Sequence, residues 1–337
     1  MTITTTLSIC LPTCDRPDLL VRCIDSCLAQ THANIEIVIG DDSRDERTAR
    51  AVAERYRDEP RIDYRRNVPA LGQARNVASL FERARGSKIL LIHDDDSLLP
   101  EGIARLLAPW RHDPDLEVTF GDQYETDHDG NIDYAASRRM NHAYHRTAGA
   151  AGLQTPPGRA GIVQMFPNNG WLANADLVRR IGYDAQYGAC CDFVFGVRLC
   201  LAARRVFYVN AHVSCYRKTD TSVSQATRHT MQASSIQAWH FLRDLALPRE
   251  LEPARKLAMK RLVPIVVSLH ARNREASAGL LLALGNLHAY RFGLSARLYY
   301  HLLMICNGAR RGHEKTAALP GLPDDPPVVD TTRARMP

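Results

Sequence analysis

The sequence predicts an α/β fold built on a mainly parallel central sheet flanked by helices. Three observations predict it. Short β-rich apolar runs alternate with stretches of helical periodicity through the first half of the chain. The run Ile89-Leu90-Leu91-Ile92 is continuously apolar, as expected of a strand buried on both faces. Acidic residues then follow several of the early strands, at the edge where ligands bind in such sheets.

Each element has its own signal. Leu7-Ser8-Ile9-Cys10-Leu11 is a strand that breaks at Pro12. Residues 18–30 place Leu20, Ile24, Cys27 and Leu28 at helical spacing. Residues 35–39 form the second strand, residues 44–56 a helix, and Ile62-Asp63-Tyr64 a weak strand. Residues 71–85 are helical through Ala74, Val77, Ala78 and Phe81. After the central strand comes a helix over 100–110, with Pro100 suited to its first turn, and then the strand Val118-Thr119-Phe120. Residues 124–164 read as irregular: a hairpin turn at 127–131, then a mobile segment over 149–161 that is either a lid or a passive surface loop. Residues 224–311 are helical almost throughout, and 313–337 reads as a disordered tail. The expected domains are therefore a catalytic domain over 1–225, divided near 122, and a helical region over 226–312.

Composition narrows the class. The 337 residues carry a net charge of +6, which suits an anionic ligand or surface without choosing one. The excess is too small, and the strand ends too acidic, for a nucleic-acid binder. There are nine cysteines and no apolar run after a basic start, which points to a reduced, cytoplasmic setting. Cys10, Cys14, Cys23 and Cys27 lack the paired spacing of a zinc site and read as small apolar residues. No stretch reaches the ~18 apolar residues of a membrane span.

The chemistry lies in three clusters after the strands. They are Pro12-Thr13-Cys14-Asp15-Arg16-Pro17, Asp41-Asp42-Ser43 and His93-Asp94-Asp95-Asp96-Ser97. Crowded carboxylates repel one another, and a fold tolerates them when a cation sits among them. Three aspartates at a strand end most naturally hold Mg²⁺ or Mn²⁺, both hard ions suited to carboxylate oxygens. A dinucleotide-binding domain would need glycines after the first strand, and residues 12–17 contain none. A Walker-type loop is also missing, which weighs against a metal-dependent nucleotidyltransferase. A non-catalytic nucleotide-sugar binding module is the other alternative.

The ordered set of these clusters, with Leu71-Gly72-Gln73-Ala74-Arg75-Asn76, Gly182-Tyr183-Asp184, Cys191-Asp192 through Arg198, Tyr216-Arg217 and Ser222-Val223-Ser224, resembles the family 2 glycosyltransferases of the Rossmann-like GT-A fold. The resemblance covers about residues 5–225. It implies an inverting transfer of a sugar from a nucleoside-diphosphate sugar, UDP being the expected nucleotide, to an acceptor hydroxyl in bacterial surface glycan or glycoconjugate synthesis. It implies nucleotide contacts from Pro12, Thr13, Asp15, Arg16, Asp41 or Asp42, Arg75, Asp94 and Asp95. It implies metal contact from Asp94, Asp95 and Asp96, with Asp95 first, and a general base at Asp192. Asn169, Trp171 and Cys191 are the expected acceptor contacts, Trp171 by stacking on a sugar. The sequence departs from the family pattern at His93 and Cys191, where acidic residues are frequent, and lacks a histidine near Thr219.

The C-terminal third reads as apolar helices studded with Arg255, Lys256, Lys260, Arg261, Arg291, Arg297, Arg310 and Arg311. Such helices suit packing, a homodimer, or peripheral contact with the cytoplasmic face of a membrane carrying a lipid-linked acceptor. A glycan or a small molecule are the other expected acceptors.

Overall fold

The computed structural model describes residues 7–218 and 228–316. Thr219, Ser222, Val223, Ser224 and most of the expected tail lie outside the described residues. The chain divides into two compact units, Met1–Val266 and Val267–Pro337.

The first unit begins with β1 (Leu7–Thr13), α1 (Pro17–Leu28), β2 (Ile35–Asp41), α2 (Arg47–Arg55), β3 (Ile62–Arg66), α3 (Gln73–Arg83) and β4 (Lys88–Leu91). It continues with β5 (Ser97–Leu98), α4 (Gly102–Leu107), β6 (Val118–Thr126), β7 (Ile132–Asp133), α5 (Tyr134–Ala143), β8 (Gly152–Leu153) and α6 (Gly158–Ile162). Then come β9 (Trp171–Asn174), α7 (Ala175–Ile181), α8 (Cys191–Ala202), β10 (Val206–Arg217), α9 (Arg228–Asp244) and most of α10 (Glu252–Arg272).

One sheet runs β3-β2-β1-β4-β9-β6-β10-β5. The β3-β2-β1-β4 part is parallel, with Leu11 opposite Ile39 and Cys10 opposite Leu91. Their side chains account for the order: every residue of β2 is buried, and Leu7, Ile9 and Leu11 pack with Ile37, Ile39, Leu20 and Ile24 into one core. β9 then inserts antiparallel between β4 and β6. This strand is absent from the sequence reading, because four residues behind Asn168-Asn169-Gly170 give no period to detect.

The middle segment is more ordered than expected. The turn at 127–131 joins β6 to β7, as read. α5 follows directly, and the segment read as either a lid or a passive surface loop is tied down. Gly152 and Leu153 pair with β10, and the Gln154 N–H donates to Val206 O at 2.8 Å. α6 lies close on α8: a Cβ on Gly161 would stand 2.7 Å from Gly196 O, and Ala160 and Ile162 are fully buried.

α9 belongs to the first unit. Phe241 sets its ring edge-on against Tyr187 and Phe193, and Leu242 is fully buried. Two of the basic residues for which packing, a homodimer or membrane contact was expected pack within this unit. Arg255 donates to Leu242 O and Arg243 O, and Arg261 lies 4.4 Å over the Tyr144 ring.

The second unit holds α11 (Ala276–Gly285) and α12 (Ala296–Thr316), joined by a kinked stretch in which Tyr290 is buried and hydrogen-bonded to His301 Nδ1 at 2.9 Å. Leu281, Phe292, Leu294 and Leu303 stand exposed on it. None of the described helices is long and apolar enough to cross a membrane.

Candidate active site

The parallel strands deliver their C-terminal ends to one edge, and the acidic clusters meet there. Thr13, at the end of β1, donates its hydroxyl to Asp94 Oδ2 at 2.7 Å. Arg16 Nη1 lies 3.2 Å from Asp94 Oδ1 and 3.0 Å from Asp95 Oδ2, so one guanidinium bridges two neighbouring carboxylates. Asp96 turns the other way. It accepts from the Arg217 N–H at 2.8 Å and from Asn169 Nδ2 at 2.6 Å. Arg217 also donates through Nε to Asp95 O and through Nη1 to His128 O, which fastens this loop to β10 and to the β6–β7 turn.

Electrostatics follow from this crowding. Burial pushes Asp94 up to about 6, and the charge of Asp95 adds to it, against the pull of Arg16 and Thr13. Burial likewise raises Asp96, again with Asp95 adding. For His93 burial alone acts downward, but Asp192, Asp96, Asp95 and Asp94 outweigh it and hold the imidazole above its ordinary value.

The metal expectation meets a changed donor set. Ligand atoms of His93, Asp95 and Asp96 lie within 4.8 Å of one another. Asp94 is taken up by Thr13 and Arg16 instead. The raised, buried Asp96 beside Asp95 makes a donor pair that a divalent cation would relieve, so the residues fit Mn²⁺ or Mg²⁺.

The nucleotide set divides. Pro12 and Thr13 end β1, and Asp15 and Arg16 lie on the turn to α1, where Asp15 takes a left-handed φ of 56° and pairs with Arg44 Nε at 2.7 Å. Asp41 is fully buried. Its oxygens accept from the Ser43 N–H and the Tyr64 hydroxyl, so it shapes the turn and cannot read a base edge from that position. Asp42 is almost as deeply placed, accepting from Asn67 Nδ2 and from the N–H groups of Leu71 and Gly72, and so anchors the start of α3. Arg75 is exposed on that helix.

Asp192 stands in the first turn of α8, where a negative charge suits the helix dipole. The Tyr183 hydroxyl donates to its Oδ1, and Cys191 Sγ lies 4.0 Å from the same oxygen. Among the described residues no donor is directed at Oδ2. Arg198, which could have claimed Asp192, pairs with Asp184 at 3.2 Å. The charge of Asp192 is among those that hold the His93 imidazole above its ordinary value.

The three acceptor residues need correction. Trp171 is fully buried, with Phe81, Phe166 and Phe195 around its ring, so it is a core residue and offers no face to a sugar. Cys191 is buried as well. Asn169 is buried behind the acidic loop, hydrogen-bonded to Asp96, His93 and Gln123. Gly170 sets it there: with φ at 71°, a Cβ would stand 2.6 Å from Ser214 Oγ. Gln123, Arg146 and the two anchoring bonds of Arg217 went unread, because nothing in a lone polar residue announces burial.

Residues 8–166 match the model of the family described as Glycosyl transferase family 2. An uncharacterized protein of Mycobacterium tuberculosis is 35% identical over 114 residues, 34% of this chain and 35% of that one. Chondroitin synthase of Escherichia coli is 30% identical over 127 residues, 37% of this chain and 18% of that protein. The chain thus spans about a third or less of the length of these relatives. Among solved structures, S. aureus TarS 1–349 in complex with UDP-GlcNAc superposes with a TM-score of 0.55 at 14% identity, covering 93% of this chain and 91% of that one. The mannosyltransferase PcManGT from Pyrobaculum calidifontis, in complex with GDP-Man and Mn²⁺, gives 0.57 at 14% identity, covering 94% and 88%. These likenesses show the GT-A fold.

Proposed function

From the match of residues 8–166 to glycosyl transferase family 2, we propose that the protein is a metal-dependent, inverting glycosyltransferase. It moves a sugar from a nucleoside-diphosphate sugar, a UDP-sugar in this reading, to an acceptor hydroxyl. The observation that carries the proposal is Asp192, a carboxylate in the first turn of α8 with one oxygen held by Tyr183.

Asp192 takes the proton of the acceptor hydroxyl as that oxygen attacks the anomeric carbon. Tyr183 holds Oδ1, so that Oδ2 is presented to the acceptor. Arg16 and Thr13 keep Asp94 and Asp95 in place from the β1 side, while Arg217 and Asn169 keep Asp96 in place from the other. Asp95 and Asp96 would hold Mn²⁺ or Mg²⁺, which supplies neutralisation of the charge growing on the leaving diphosphate. One base and one displacement suffice, so no covalent sugar–enzyme intermediate is needed.

The acceptor belongs to surface glycan or glycoconjugate synthesis, as a glycan, a lipid-linked sugar or a small molecule. Exposed Leu281, Phe292, Leu294 and Leu303 support peripheral membrane contact or a homodimer through the second unit. The test of the chemistry is release of nucleoside diphosphate from a panel of sugar nucleotides in the presence of sugar acceptors. Asp192→Asn is expected to abolish release while nucleotide binding persists. Retention of most activity in that variant would refute the base.

A further inference from the structure

The hydrogen bonds behind the acidic loop decide which ring nitrogen of His93 carries its proton. They start at Arg146, a buried guanidinium that can only donate. Its Nη1 lies 3.2 Å from Gln123 Oε1. The other end of that amide, Nε2, therefore faces Asn169 Oδ1 at 3.2 Å and Ser214 Oγ at 3.3 Å. Asn169 in turn directs Nδ2 to His93 Nδ1 at 3.2 Å and to Asp96 Oδ2 at 2.6 Å.

An amide NH₂ facing Nδ1 requires that Nδ1 accept, so a neutral imidazole carries its proton on Nε2. A proton on Nδ1 would set N–H against N–H. Nε2 itself is buried and has no partner among the described residues. A buried N–H without an acceptor is costly, and at a functional site it marks where a ligand atom is missing. An N–H also cannot ligate a metal, although the ring lies close to Asp95 and Asp96.

We propose that His93 is a substrate-binding residue that presents Nε2–H to an oxygen of the bound sugar diphosphate beside the acidic loop, and that it is not a metal ligand. The proposal rests on the glycosyltransferase reading and adds to it a residue, a tautomer and the relay Arg146–Gln123–Asn169 that sets the tautomer. The acceptor oxygen is either a phosphate oxygen or a sugar hydroxyl. Comparing UDP with a UDP-sugar tells the two apart: loss of affinity for both means phosphate, and loss for the sugar nucleotide alone means the hydroxyl.

The experiment uses the full chain with ¹⁵N-labelled histidine, the His93 signals being those missing in His93→Gln. The expected spectrum has a pyridine-type Nδ1 and a protonated Nε2 whose resonance moves when the sugar nucleotide is added. Pulsed EPR of the Mn²⁺ complex is expected to show no ¹⁴N coupling from an imidazole. His93→Ala is expected to weaken binding of the sugar nucleotide by about tenfold, with part of the loss restored by His93→Gln, which keeps an N–H donor. A protonated Nδ1 with a bare Nε2, an imidazole ¹⁴N coupling to Mn²⁺, or unchanged affinity in His93→Ala would each overturn the proposal while leaving the glycosyltransferase reading intact. Failure of the wild-type protein to bind any sugar nucleotide with Mn²⁺ would overturn both.

Discussion

Thr13 and Asp94 meet through a 2.7 Å hydrogen bond that ties the end of β1 to the loop after β4. Both side chains are buried, so the bond joins two neighbouring parallel strands at the edge where the acidic clusters converge.

Thr13→Val keeps the shape of the side chain and removes that donor. A buried carboxylate that loses a partner costs about 1–3 kcal/mol. Chemical denaturation of the metal-free variant is expected to show a loss in that range, and addition of Mn²⁺ to recover part of it. An unchanged midpoint would mean that the bond does not hold the loop.

The acidic loop makes stability depend on pH with a defined sign. Burial raises Asp94 from the ordinary value of 3.8 to about 6. A carboxyl raised in the folded state contributes stability in full below its unfolded value and loses it as pH climbs through its folded one. The metal-free protein therefore loses this contribution between about pH 4 and about pH 6. A cation on Asp95 and Asp96 competes with the proton that burial favours on Asp96, so the gain in Tm from Mn²⁺ is expected to be larger at neutral pH than near pH 5. An equal gain at both would place the ion elsewhere.

Trp171→Ala is expected to cost about 3–5 kcal/mol, because it empties a site packed by Phe81, Phe166 and Phe195. Trp171→Phe, which refills much of the space, is expected to keep the acceptor KM of the wild type. A raised KM with unchanged stability would restore the stacking role that burial denies it.

Sequence and structure agree where local chemistry decides. The parallel strands were legible because Leu7, Ile9 and Leu11, or Ile89 to Ile92, leave no alternative to a strand buried on both faces. The acidic clusters were legible because strand ends in such a sheet face one edge. α5 went unread, since only Ala136, Ser137 and Asn141 of its ten residues are buried and no apolar stripe marks it. Roles within the site went further astray. Whether an aspartate points inward, like Asp41, or toward its neighbours, like Asp95, depends on partners tens of residues away. The hydrogen bonds that place Asn169 come from His93, Gln123 and Asp96, and no spacing rule links them.

The exposed apolar residues of the second unit make a separate prediction. Retention on anionic vesicles is expected for the full chain and lost on deleting residues 280–312. Equal retention of the shortened protein would count against membrane contact, and a concentration-dependent change in mass, abolished by the same deletion, would assign the surface to a homodimer.

The most direct test is calorimetric titration with UDP, GDP and dTDP, each with and without Mn²⁺. The account predicts that one of them, UDP, binds in a metal-dependent manner and that Asp95→Ala abolishes this binding. No binding of any nucleotide under either condition, or binding indifferent to both Mn²⁺ and Asp95→Ala, would contradict it.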